Sequence, residues 1–141
     1  MPGSYEDVKT LLRGFLQPGA DRAAMTNKLR PAKAEYDAVF EPELANKLEA
    51  LRTPEWNAGI AFIPLSGDDG GFTMDRSTTD ELKGPGGLWG YKQVADKLKP
   101  GLTVYEVTFI GFGSSESKTV DGLVHVNGNW RLFPKPWQAL K

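Results

Sequence analysis

The stretch DGLVHVNGNWRLFPKPW, residues 121–137, decides how the second half of this chain folds. Asn127-Gly128 sits between two β-rich runs, and a type I′ turn needs positive φ at both central positions, which Asn and Gly supply. A two-residue turn fixes the register. Val126 faces Asn129, His125 faces Trp130, Val124 faces Arg131 and Leu123 faces Leu132. Alternation puts Leu123, His125, Trp130 and Leu132 on one side, and Val124, Val126, Arg131 and Phe133 on the other. His125 is the only histidine of the chain. It stands in a non-hydrogen-bonded pair with Trp130, where side chains approach closely. Two roles suit it: a ring packed on the indole, or an acid, base or ligand contact in a cavity that Trp130 floors. Asp121 shares its parity, but four residues of regular strand hold the two roughly 13 Å apart. Only a bulge at Gly122 shortens that distance.

Upstream, LTVYEVTFIGF (102–112) is the clearest long strand. Tyr105, Val107 and Phe109 share a buried face, and Glu106 and Thr108 lie on a wetter one. IAFIPL (60–65) reads as an edge strand, SGDDGG (66–71) as a turn and FTMDRS (72–77) as its returning partner. KGPGGLWG (83–90) is a glycine-rich loop anchored by Trp89, a lid over a pocket, and YKQVADKL after it is a short amphipathic helix.

The first half is helical. Ser4 and Asp7 form a capping-box-like start before Val8, Leu11, Leu12, Phe15 and Leu16. Pro18-Gly19 stops that helix, and Asp21 caps a short second one that ends before Pro31. A third carries Tyr36, Val39 and Phe40, and Pro42 opens a fourth with Leu44, Ala45, Leu48 and Leu51 on one face. Thr53-Pro54-Glu55-Trp56 adds one more turn. Helices followed by an antiparallel sheet predict an α+β domain with the helices on one face of the sheet. A single domain spans 1–141: a helical part over about 4–57, a strand-rich part over about 59–133 and a Pro-containing tail over 134–141.

Composition narrows the chemistry. A net charge of −1 with scattered lysines and arginines gives no footprint for nucleic acid. No cysteine means no disulfide, no thiolate zinc site and no cysteine nucleophile. One histidine excludes most histidine-rich metal sites, and Asp68, Asp69 and Asp75 lack the spacing of a calcium loop. GPGGLWG matches neither a dinucleotide nor a Walker pattern, so no cofactor and no metal are expected. A start without basic and apolar signal regions, and no membrane-length apolar run, predict a soluble cytoplasmic protein without membrane partners.

Two stretches carry a family resemblance. FLQPGAD, where the opening helix ends in Gly19-Ala20-Asp21 before a short helix, and VNGNWRLF, a hairpin turn followed by a tryptophan and an alternating apolar strand, resemble the nuclear transport factor 2-like (cystatin-like) superfamily. GLVHVNGNWRLFPKPW is also similar to the ending of small uncharacterised bacterial proteins. The resemblance implies a curved, mainly antiparallel, cone-like sheet closed by the N-terminal helices around a pocket. The ligand expected there is a small apolar or aromatic molecule, held by Tyr91, Tyr105, Phe109, His125 and Trp130. One alternative is a lyase or isomerase with His125 as its catalytic acid/base and Tyr105 as oxyanion donor. The other is a homodimeric interaction module, joined through the sheet face that carries Val124, Val126 and Phe133 with Glu106 and Thr108, or through the Pro-rich tail. Trp137, after Phe133-Pro134-Lys135-Pro136, is expected to fold back as a plug on the core.

Overall fold

Apolar residues three and four apart coil the first half of the chain into α1 (Tyr5–Phe15), α2 (Arg22–Asn27), α3 (Lys33–Val39) and α4 (Pro42–Asn57). The computed structural model describes residues 5–17, 19, 21–59, 69–84, 90–111 and 117–140. The run at 60–65, Trp89 and most of the glycine-rich loop lie outside them. Asp21 caps α2 as expected, its carboxylate accepting from the Ala24 amide at 3.0 Å. Pro42 opens α4, which then runs without a break through Pro54. The missing amide of Pro54 leaves the carbonyl of Ala50 without its helical partner, but Ala50 is exposed and water can serve it.

The sheet is an open antiparallel meander, β1 (Asp69–Thr78), β2 (Thr103–Gly111), β3 (Ser117–Val126) and β4 (Asn129–Leu132), in that spatial order. The α+β class therefore stands. FTMDRS falls in β1 and pairs with β2. Between β1 and β2 lie α5 (Thr79–Lys83) and a 3₁₀ helix (Tyr91–Lys97); a second 3₁₀ helix (Pro136–Leu140) ends the described chain.

The terminal hairpin has the register that its turn dictates, including His125 opposite Trp130. Asn127 has φ 52° and Gly128 has φ 81°, the pair of positive values a type I′ turn requires. Nothing lies within 4 Å of a Cβ placed on Gly128. Gly128→Val should therefore cost only the left-handed strain, about 1–2 kcal/mol, and a thermal melt reads it directly.

Helices stand on both faces of the sheet rather than one, because both parities of its strands carry apolar residues. Val8, Leu12 and Phe15 of α1 pack with Leu29 and Trp56 on Tyr105, Val107, Phe109, Val120, Leu123 and Leu132. On the opposite face, α3, α4 and the first 3₁₀ helix bury Val104, Val124, Val126 and Phe133. Those last three side chains, expected at an interface between two copies, are thus covered by the chain's own helices. Arg131 bonds Glu35 of α3 at 2.8 Å, and the Trp130 indole N–H donates to Asp7 of α1 at 2.8 Å, so β4 is tied on both sides.

The decisive irregularity is in β3. Tyr105 pairs with Leu123 while Val107 pairs with Val120, so Glu106 faces two residues, Asp121 and Gly122. This is a β-bulge, and Gly122 adopts φ 84° within it. The extra residue reverses the alternation. Asp121 leaves the face of His125 and joins the face of Val124 and Glu106.

Candidate functional site

The bulge builds a row of carboxylates. Asp75 of β1 is the direct cross-strand partner of Glu106 on β2, and Glu106 in turn faces the bulge that carries Asp121 on β3. Like charges placed opposite each other in a sheet oppose folding, so this arrangement does not serve stability. The row borders a cleft of about 710 Å³ whose wall also includes Ser77, Thr119, Lys135 and Trp137. Among the described residues, helices cover the rest of this face over Val104 and Val124 and leave the polar end open. Thr108 and Thr119 bond one another at 3.2 Å beside it.

Each wall residue has a local cause. Lys135 takes φ 45°, and its amide N–H donates to Asp121 Oδ1 at 3.3 Å. The backbone is held there by Arg52, a buried side chain of α4. Its guanidinium donates to the carbonyls of Pro134 (2.9 Å) and Lys135 (3.1 Å) and to the Gln138 side chain (2.6 Å). Trp137 is half-buried, edge-on to the Tyr91 ring at 6.2 Å, so the tail folds back onto the core as expected of a plug, with its indole on the cleft wall. Glu81 also borders the cleft, but its carboxylate accepts from the Thr78 amide at the start of α5.

The electrostatics follow from this placement. Burial pushes the Glu106 carboxyl up, and the charges of Asp121 and Asp75 add to it. Burial also raises Asp121, against the lowering pull of the Lys135 amide and of the Lys135 and Arg52 charges. Folding therefore makes both groups hold their protons more tightly than the unfolded chain does. They favour the fold below their ordinary values of 4.5 and 3.8, and that contribution is lost as pH rises through the raised folded values. Glu106→Gln should accordingly raise the melting temperature at pH 7, by up to about 1 kcal/mol in stability, with the gain vanishing in acid. A lower melting temperature at pH 7 would show that Glu106 is a structural partner instead.

The five residues expected to share one pocket are divided. Tyr105 and Phe109 are buried in the α1-side core, and Trp130 and His125 lie on that same face, with ring centroids 5.0 Å apart in an edge-on pair. Trp130 also meets Tyr105 edge-on at 5.7 Å. Tyr91 is on the other face, fully buried, with its hydroxyl donating to the Phe133 carbonyl at 2.5 Å. His125 does not border the cleft, and Asp121 lies across the sheet from it. No pair of His125 with an orienting carboxylate is formed among the described residues.

Sequence reasoning noted Glu106 and Asp121 singly and missed the row. The available signal was Asp-Gly inside a strand, since an interior strand glycine often marks a bulge. Among the described residues no group of three His, Cys, Asp or Glu side chains is arranged to hold a metal ion. No helix among them is long and apolar enough to cross a membrane. Fold and site together define an α+β protein with a carboxylate-lined cleft at the open end of its sheet. Comparison with protein-family models, with curated proteins and with solved structures finds no match.

Proposed function

We propose that this protein binds a small organic cation with an aromatic or apolar body in the cleft over Asp75, Glu106 and Asp121. The observation that carries the reading is the carboxylate row itself. Among the described residues neither Asp75 nor Glu106 has a hydrogen-bond or salt-bridge partner, although they face each other. An ammonium or guanidinium group placed between them converts repulsion into two charge-assisted hydrogen bonds. The Trp137 indole on the same wall supplies an apolar surface and a π face for the cation or its ring. The volume falls in the range of small-molecule sites.

The resemblance to the nuclear transport factor 2-like superfamily remains part of this proposal. It is supported by the order of elements: an opening helix, a short second helix capped by Asp21 and a terminal hairpin closed by Asn127-Gly128. The lyase or isomerase reading with His125 as base lacks, among the described residues, a carboxylate paired with the imidazole.

Thermal shift with phenethylammonium tests the proposal. A ligand at about 100 times its Kd stabilises the fold by about 2.7 kcal/mol, well within detection. Wild type and His125→Phe should both be stabilised, and an Asp75→Asn, Glu106→Gln double variant should not. Equal shifts in all three proteins, or loss only in His125→Phe, would refute the cleft as the site.

A further inference from the structure

The cleft holds charge of both signs. Lys135 lines it, is exposed, and its ammonium makes no hydrogen bond or ion pair with any described residue. Asp75 and Glu106 line the same cleft, and among the described residues neither makes a hydrogen bond or ion pair through its carboxylate. The Lys135 backbone is held in a left-handed conformation at φ 45° by the Arg52 guanidinium, which donates to the carbonyls of Pro134 and Lys135. Asp121 stands between the two sets: it accepts from the Lys135 amide and feels the Lys135 charge without an ion pair. Arg76 also borders the cleft, but it has the parity of Met74 and pairs with Tyr105, so its side chain leaves the sheet on the other face.

We infer that the natural ligand is a zwitterion, an amino acid or short peptide with an aromatic or apolar side chain, whose ammonium sits on Asp75 and Glu106 and whose carboxylate sits on Lys135. This rests on the cleft being a cation site and adds the anionic half of the ligand. Three features of the cleft match three features of that class. The carboxylate pair on β1 and β2 takes the ammonium, the lysine on the tail takes the carboxylate, and Trp137 takes the side chain. Adjacent strands lie about 4.8 Å apart. The row from Asp121 to Asp75 therefore spans about two strand spacings, closer to the charge separation of a short peptide than to that of a single amino acid. The volume of about 710 Å³ leaves room for either. Each charge of such a ligand meets an opposite charge that makes no ion pair with any described residue, so its recognition exceeds that of either half alone.

The test uses the full chain and four probes followed by tryptophan fluorescence: L-phenylalanine, the dipeptide Phe-Gly, phenethylammonium and 3-phenylpropionate. At least one zwitterion should bind wild type about tenfold or more tightly than phenethylammonium. Lys135→Asn, which tolerates positive φ, should abolish that preference and leave phenethylammonium affinity within about twofold. Lys135→Arg keeps the charge and should keep the preference, which guards against a purely conformational effect of the asparagine. If phenethylammonium binds as well as both zwitterions, the zwitterion inference falls while the cation site stands. If no probe binds, both fall. If the preference survives in Lys135→Asn, Lys135 is not the anionic half of the site and the inference falls.

Discussion

Gly122→Ala should fail to fold, or lose several kcal/mol of stability. A Cβ at this position would stand 2.0 Å from the Phe133 carbonyl oxygen and 2.5 Å from the Tyr91 hydroxyl. The backbone is at φ 84°, where an L side chain adds about 1–2 kcal/mol of strain. Relief of the clash must break the bonds that meet there, Phe133 N–H to the Gly122 carbonyl at 2.8 Å and Tyr91 O–H to the Phe133 carbonyl. Leaving such buried groups unmade costs about 1–3 kcal/mol each. The sum is a large fraction of the stability of an ordinary domain. Urea denaturation measures it; a midpoint within experimental error of wild type would mean that the bulge is misplaced and that Asp121 lies on the other face.

Arg52→Ala should be nearly as severe, at about 3–5 kcal/mol, the usual cost of deleting one member of a buried charged network. Arg52 is 4 % exposed, and its side chain serves the Pro134 and Lys135 carbonyls, Gln138 and Glu55. Alanine leaves those carbonyls without donors and opens a void under the tail. The effect reaches the cleft, because the left-handed turn at Lys135 and the position of Trp137 depend on this anchor. The variant should therefore show both a lower denaturation midpoint and a more exposed Trp137 emission, with Trp137→Phe assigning the signal. A stability loss without any change at Trp137 would separate Arg52 from the geometry of the site.

Sequence and structure agree where local chemistry decides. Asn127-Gly128 dictates a turn, the turn dictates the register, and β4 follows. Asp21 and Pro42 set helix starts for equally local reasons. Sequence reasoning missed the Thr78-x-x-Glu81 capping box, an equally local signal, and α5 lies directly behind it. Long-range placement was not legible. Nothing near FTMDRS indicates that it pairs with β2 across α5 and a 3₁₀ helix, so the facing of Asp75 and Glu106 was hidden. The bulge had a visible marker in Gly122, but whether a strand glycine bends the ladder depends on what approaches it, here the Phe133 carbonyl and Tyr91. A one-residue slip in alternation then moved Asp121 to the opposite face and with it the site. Concentrating histidine and tryptophan in one hairpin suggested a pocket there. In the structure the Trp130 indole ties β4 to α1, and His125 packs against it.

We propose the open, acidic end of the sheet as the place where this protein meets its ligand. The most direct measurement is an amide and indole ¹H–¹⁵N titration of wild type with phenethylammonium at neutral pH. Binding in the cleft should give saturable shifts concentrated at Asp75, Glu106, Asp121, Lys135 and the Trp137 indole, with the His125 and Trp130 signals unmoved. Shifts centred on His125 and Trp130, with the carboxylate row silent, would contradict it.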